Sequence, residues 1–245
     1  MSMISVILPA WNEAARIGAT IARTRAHLET WAERFEIVVV DDGSSDGTAE
    51  AAEAARAAAP ELRILRLFSN RGKGEALRQG FAASRGERVV FLDADMDLPP
   101  EQLGALAAFM EREDADVVIG SKWHPRSQVD YPWHRRLVSL VYFTLTRILF
   151  GLPVRDTQTG IKLFRREALA RAMPRLLVKA YASDLELLVV VHHFGGRIVE
   201  APVVIERTGK YPRIAAGAIF RAGWDTLAVF YRLHVLGYYD EAPVA

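Results

Sequence analysis

The chain has 245 residues, enough for one large α/β domain, and its 51% apolar and 25% charged residues exclude wholesale disorder. With 31 Lys and Arg against 30 Asp and Glu the formal charge is +1, so no global field recruits nucleic acid. The absence of cysteine excludes disulfides, thiol catalysis and cysteine-ligated metal, and fits a reducing compartment.

The opening MSMISVILPAWNE lacks a basic segment followed by a signal-length apolar run, so the expectation is a cytoplasmic protein. Ile4 to Leu8 reads as a strand stopped by Pro9, and Glu13 to about Trp31 carries apolar residues at helical spacing. Phe35 to Val40 is a second strand ending in DDGSSDGT, and the Ala- and Glu-rich stretch 48 to 59 predicts a helix. Arg63 to Phe68 is a third strand, NRGKGEALRQGFAAS a loop and helix, and Arg88 to Leu92 a fourth strand. Pro99 and Pro100 suit the start of a helix running from Glu101 to Arg112, with Ala115 to Ile119 the next strand. This alternation predicts a mainly parallel sheet flanked by helices.

Beyond Gly120 the rhythm changes. SKWHPRSQVDYPWHRR is basic and aromatic, and LVSLVYFTLTRILFGLPV is an apolar helix-like run, too short and too marked by polar residues for a membrane span. RDTQTGIKLFRREAL predicts a turn, a short strand and a helix start; DLELLVVVHHF is a helix; RIVEAPVVIER is a strand. The last stretch, residues 214 to 238, is an apolar helix with Arg221, Asp225 and Arg232 scattered through it. The expected organisation is one catalytic domain over 1–213 and a C-terminal helical segment over 214–245.

In parallel sheets ligands bind beyond the carboxyl ends of the strands, where Asn12, Asp41, Asp42, Asp93 and Asp95 all fall. The run Val89-Val90-Phe91-Leu92 ends in Asp93, Asp95 and Asp97, and alternate side chains of an extended chain share one face, so a cation is expected among them. Hard oxygen ligands suit Mg²⁺ or Mn²⁺ held against a diphosphate. The alternative is a solvated acidic loop in which Asp97 only begins the next helix. In DDGSSDGT the glycines allow a tight turn, Asp46 can cap the next helix, and Asp41 or Asp42 can accept hydrogen bonds from a base or ribose.

Four segments, SVILPAWNEAARI, VVVDDGSSDGT, NRGKGEALRQG and FLDADMDLPP, together resemble the family 2 glycosyltransferases with the Rossmann-like GT-A fold, over roughly residues 4 to 165. The later GSKWHPRS, RDTQTGIKLFRR, ASDLELL and EAPVVIERTGKY resemble the branch that transfers hexose to a polyprenyl (dolichyl or undecaprenyl) phosphate. The resemblance implies that Pro9, Trp11, Asn12 and Glu13 line the nucleotide-base pocket, with Trp11 where a tyrosine is common. It also implies that Asp41 and Asp42 hold base and ribose and that Lys73 approaches the diphosphate. Ala94 would touch the donor, Asp93, Asp95 and Asp97 would carry the metal, and Arg207 and Lys210 would close over the diphosphate.

On the acceptor side, Lys122, Arg126, Arg135 and Arg136 lie between the metal loop and the apolar helix, and the alternative for each is a solvated arginine-rich loop. Arg135 and Arg136, just before the run 137 to 150, suit a ligand with a charged head and a hydrocarbon tail. Ser127 or Ser139 can add a hydrogen bond, and Gln158 belongs to the sugar site by resemblance. A lipid phosphate, with a second pKa of about 6 like other phosphomonoesters, needs no strong base. By the same resemblance Asp184 and Glu186 stand where family 2 enzymes carry a late acidic residue near the acceptor, a base when the acceptor is a hydroxyl. Here it positions substrate instead, or Asp184 caps the helix that follows, and His192 and His193 read as packing residues.

The leading expectation is an inverting, metal-dependent transfer of glucose or mannose from a UDP- or GDP-sugar to a polyprenyl phosphate, at the cytoplasmic membrane face. The runs 137 to 150 and 214 to 238 are candidate interfacial helices, the alternatives being burial in the core or a homodimer interface. Within the fold, the alternative is a soluble transferase with a glycan, protein or small-molecule acceptor. A processive synthase is disfavoured by the lack of multiple spans and of a QxxRW-type motif. A phosphatase is disfavoured because Asp97 stands at the Thr position of D-x-D-x-T. A non-catalytic nucleotide-sugar binder is disfavoured because no metal aspartate is lost.

Overall fold

A computed structural model describes residues 2–129, 133–179, 182–206 and 216–241. Its centre is a seven-stranded sheet in the order β3-β2-β1-β4-β6-β5-β7, built from β1 (Ile4–Ala10), β2 (Phe35–Asp41), β3 (Leu62–Arg66), β4 (Arg88–Leu92), β5 (Val117–Ser121), β6 (Ile161–Arg165) and β7 (Ile198–Pro202). Strands β1 to β4, and β5 with β7, pair in parallel; β6 runs antiparallel between β4 and β5. The apolar runs fill these strands because both sheet faces are covered, and the valines and isoleucines of β1, β2 and β4 are almost wholly buried.

Helices α1 (Ile17–Leu28), α2 (Thr48–Ala54), α3 (Lys73–Ala83), α4 (Leu103–Arg112), α5 (Trp133–Phe150), α6 (Arg166–Ala172), α7 (Ser183–His193) and α8 (Ala216–His234) surround the sheet. Helix α1 starts four residues later than its apolar pattern predicts. The peptide N–H groups of Asn12, Glu13 and Ala14 are taken by Ser44 Oγ, Thr48 Oγ1 and Asp46 Oδ2, so this stretch is a loop locked onto its neighbour. The stretch 48 to 59 splits into α2 and a 3₁₀ turn over Arg56–Ala58. Helix α5 begins before the apolar run and stops at Phe150, where Gly151 takes a left-handed φ of 66°.

Two apolar cores lie on the two sheet faces, and α8 belongs to the second through Val229, with Tyr239 of the turn behind it also fully buried. Glu186, at the start of α7, accepts hydrogen bonds from Arg232 of α8 at 2.8 Å and from Tyr239 at 2.7 Å. The C-terminal helical segment is therefore seated on the sheet domain.

Candidate active site

The carboxyl ends of β1, β2 and β4 open into a cleft of about 270 Å³. Pro9, Trp11, Glu13, Asp42, Lys73, Asp93, Ala94 and Asp95 are among the residues that line it. Most of the donor-site residues expected from sequence thus meet in one place, beyond the carboxyl ends of β1 and β4, between which the strand order reverses and leaves a crevice. Asn70 and Gly72 also line it, residues that the sequence reading passed over as loop.

The loops are interlocked rather than free. Asn12 takes a left-handed φ of 56°, and its side-chain oxygen accepts the N–H of Ser45. Asp42, almost fully buried, accepts the N–H groups of Arg71 and Gly72 at 2.8 Å each, so its carboxylate shapes the 70–72 loop. Gly43, at φ 69°, is required at this point: a Cβ would lie within 2.6 Å of the Ser69 and Asn70 backbone. Asp41 is fully buried and outside the lining; one oxygen accepts the N–H of Ser44, and the other has no hydrogen bond, with Arg66 Nε 3.6 Å away. Trp11 remains 55% exposed, an indole face open for stacking.

The three aspartates do not share a face. The strand ends at Leu92 and the chain turns, with Met96 at φ 65° and the N–H of Asp97 donating to Asp95 Oδ1 at 3.1 Å. Asp93 and Asp95 line the cleft and Asp97 does not. Among the described residues no three His, Cys, Asp or Glu side chains form a ready-made metal cage. Two carboxylates nevertheless match a small divalent ion that takes its other ligands from phosphates and water. The charge balance agrees: burial, then the nearby Asp93, Asp97 and Glu13, push the Asp95 carboxyl up to about 6, a site short of positive charge.

Behind this pair runs a chain of alternating charges. Lys73 Nζ lies 2.7 Å from Asp93 Oδ1 and 3.5 Å from Asp184 Oδ2, and Asp184 Oδ1 meets the buried Lys162 Nζ at 2.7 Å. Lys162 also donates to the Thr159 carbonyl at 2.5 Å. Burial pushes the Asp184 carboxyl up, but the two ammonium groups outweigh it and hold it below the usual carboxylate range. Asp184 makes no side-chain cap to α7, and one of its oxygens faces each lysine. Glycine at 160 is what admits Asp93, since a Cβ there would collide with the Asp93 carboxylate.

The acceptor-side residues are more dispersed. Lys122 pairs with the buried Asp156 at 2.8 Å and donates to Thr159, while Arg126 lies over the Phe109 ring on α4. Ser127 bridges the Ser121 carbonyl and the Val203 N–H, a structural role. Ser139 accepts from the Trp123 indole at 3.2 Å, which ties α5 to the end of β5. Arg135 is half-buried and Arg136 exposed on α5, and Gln158 is exposed on its turn. Arg207 and Lys210 lie outside the described residues. Asp156 and Lys162 were not singled out by sequence reasoning; an acidic or basic residue within a strand-and-turn pattern gives no sign of its partner across the fold.

The Glycosyl transferase family 2 model matches residues 5–172. The chain is 34% identical over 236 residues to Glycosyltransferase AglD of Haloferax volcanii, covering 95% of this chain and 38% of that one. It is 32% identical over 214 residues to Dolichyl-phosphate beta-glucosyltransferase of Homo sapiens, covering 82% and 66%, and 31% identical over 261 residues to that of Saccharomyces cerevisiae, covering 97% and 77%. It therefore spans less than two thirds of the first two relatives. Among solved structures, glucosyl-3-phosphoglycerate synthase from Mycobacterium tuberculosis in complex with Mn²⁺ and UDP-glucose superposes with a TM-score of 0.69 at 25% identity, over 94% of this chain and 79% of that one.

Proposed function

The chain belongs to glycosyl transferase family 2, and on that premise we propose that it transfers a glucosyl group from UDP-glucose to a polyprenyl phosphate. The observation that carries the reading is the single cleft that gathers Trp11, Asp42, Lys73, Asp93 and Asp95 at three parallel strand ends. The named glucosyl relatives support glucose over mannose, and the Mn²⁺ and UDP-glucose complex of the structural neighbour supports uridine over guanosine.

In this reading the base stacks on Trp11, and the loop shaped by Asp42 supplies polar contacts to the nucleoside, while Asp41, buried outside the lining, supports the strand end from behind. Asp93 and Asp95 would hold a divalent cation, Mg²⁺ or Mn²⁺, which offsets the charge of the leaving diphosphate. Lys73 adds a positive charge on the same side of the cleft. The acceptor phosphate is ionised near neutral pH and attacks the anomeric carbon directly, forming the C–O bond as the bond to the diphosphate breaks on the opposite face. One displacement inverts the anomeric centre, and no general base is required, in keeping with the engagement of Asp184 by two lysines.

The acceptor's hydrocarbon tail needs an apolar neighbour. Helices α5 and α8 lie side by side, joined by Tyr142 and Thr226 at 3.3 Å and by the Phe150 and Phe230 rings. Each shows an outward stripe at helical spacing: Leu137, Val141, Leu145 and Ile148 on α5, and Phe220, Trp224, Leu227 and Tyr231 on α8. No helix among the described residues is long and apolar enough to cross a membrane. We read the pair as a platform that lies on the membrane surface, with Arg135 and Arg136 beside the phosphate headgroups.

Calorimetric titration with UDP and GDP, each with and without Mn²⁺, followed by transfer of labelled glucose to a polyprenyl phosphate, tests the reading. Mn²⁺-dependent UDP binding with labelled lipid product supports it; binding of GDP alone, or transfer only to a water-soluble acceptor, overturns the donor or the acceptor assignment respectively.

A further inference from the structure

The cation that Asp93 and Asp95 are short of is partly present already. Lys73 Nζ contacts Asp93 Oδ1 at 2.7 Å, an oxygen that a metal ion on this pair would need. The same ammonium has a second carboxylate close by, Asp184 Oδ2 at 3.5 Å. A flexible four-carbon stem allows Lys73 to exchange one partner for the other with a small pivot, because lysine carries a point charge without a fixed fork geometry. Asp184 is kept in place for this by Lys162, which is almost wholly buried and has no other anion within ion-pair distance among the described residues.

Four different parts of the fold bring this chain of charges together: the residue after β4 is Asp93, the first residue of α3 is Lys73, and β6 and the first turn of α7 supply Lys162 and Asp184. The relay is not an accident of one loop. Asp184 with a single lysine would draw Lys73 away from Asp93. Lys162, by occupying Asp184 Oδ1, moderates that pull and leaves Lys73 on the cleft carboxylate.

We propose that Lys73 is a place-holding cation: in the empty cleft it neutralises Asp93, and it passes to Asp184, pinned by Lys162, when a divalent ion arrives with the donor diphosphate. Lys73 and the ion compete for one carboxylate oxygen, so metal and nucleotide bind better together than the ion binds alone. The proposal rests on the reading of Asp93 and Asp95 as metal ligands.

The test is Mn²⁺ binding without nucleotide, by calorimetry and by the paramagnetic resonance signal of free Mn²⁺, on the full chain and four variants. Lys73→Met removes the competitor and tightens Mn²⁺ binding about tenfold, as loss of a directly contacting charge at the edge of a protein should. Arg16→Met is the control for the general field: Arg16 pairs with Glu13 at the cleft edge without touching Asp93, and its removal changes Mn²⁺ affinity less than about twofold, as for other exposed charges. Asp184→Asn leaves Lys73 wholly on Asp93 and weakens Mn²⁺ binding. Lys73→Gln repeats the measurement should the methionine variant fail to fold. Mn²⁺ bound equally or more weakly by the Lys73 variants, or an equal gain from Arg16→Met, overturns the place-holding role and leaves the metal site standing. No Mn²⁺ binding by any protein, even with UDP present, overturns the metal site and the proposal with it.

Discussion

Glu186 and Arg232 meet at 2.8 Å between α7 and α8, and the carboxylate is fully buried. Its four contacts divide evenly: Oε1 takes Arg232 and the Tyr239 hydroxyl, while Oε2 takes the N–H groups of Leu177 and Val178. Sequence reasoning placed Glu186 near the acceptor. The structure makes it the anchor between the C-terminal helix and the loop leading into α7. Burial lowers the Arg232 pKa, but its hydrogen bond to Tyr239 and its attraction to Glu186 outweigh this and raise it, as expected of a cation with a committed anion.

Glu186→Ala strands Arg232 and two peptide donors, and the expected loss of stability is about 3–5 kcal/mol, the usual penalty for breaking a buried pair from one side. Urea unfolding measures it. A loss below about 1 kcal/mol, the worth of an exposed pair, would show that α8 is held by apolar contacts alone.

Asp95 gives a pH dependence with a definite sign. Its carboxyl rises from the ordinary 3.8 to about 6 in the metal-free protein, so folding takes up a proton between these values and this residue's ionisation costs stability as pH rises from about 4 to 6. Asp95→Asn therefore stabilises the metal-free chain at pH 7, by about 1–2 kcal/mol once screening is allowed for, while abolishing Mn²⁺-dependent UDP binding. In the unaltered protein that binding weakens as pH falls below about 6, because the ion must displace a proton. Thermal melts at pH 5 and 7 and titrations across the same range check both halves, and a variant less stable than the parent at pH 7 contradicts the first.

Trp11 is more than half exposed, so its removal leaves the core intact. Trp11→Ala should weaken UDP binding by about 1–3 kcal/mol, the range for loss of one base stack, and leave the unfolding midpoint unchanged. Unchanged UDP affinity would place the base elsewhere in the cleft.

The sheet and the donor cleft were legible from sequence because local rules govern them. Apolar runs such as Ile37 to Val40 can only be buried strands, and polar residues directly after them must lie at the strand ends. What the sequence does not show is which residues far apart in the chain become partners. Asp97 falls outside the cleft lining, since Met96 breaks the extended path, and no alternation rule foretells a left-handed turn at methionine. Lys122, expected to meet a lipid phosphate, is held by Asp156, which is itself fixed by the chain turn before β6. Asp184 looked like a base or a cap, and only the packing of α3 and β6 against α7 shows its two lysines.

Lys122 tests that distinction directly. Burial raises the Asp156 carboxyl, but the attraction and hydrogen bonds of Lys122 lower it below the usual range, so the buried carboxylate depends on its half-buried partner. Lys122→Met leaves Asp156 without its cation and should cost about 3 kcal/mol or more in urea unfolding. If Lys122 instead served the acceptor, stability would hold and only the lipid requirement would rise.

The two outward stripes on α5 and α8 carry the membrane reading, and they separate binding from folding. Trp224 and Ile148 are 68% and 75% exposed, so charges placed there disturb no packed neighbour, and stability should stay within about 0.5 kcal/mol. Ile148→Glu with Trp224→Glu removes apolar area from both helices and adds negative charge facing anionic headgroups, two effects that act together against surface binding. Sedimentation with vesicles of mixed neutral and anionic lipid should show the double variant left in solution while the parent pellets. UDP binding should be unchanged, because the cleft is formed by different elements. If instead the parent ignores vesicles and runs as a dimer that the double variant splits, the stripes face a second copy of the chain, and the lipid tail must be covered by some other surface.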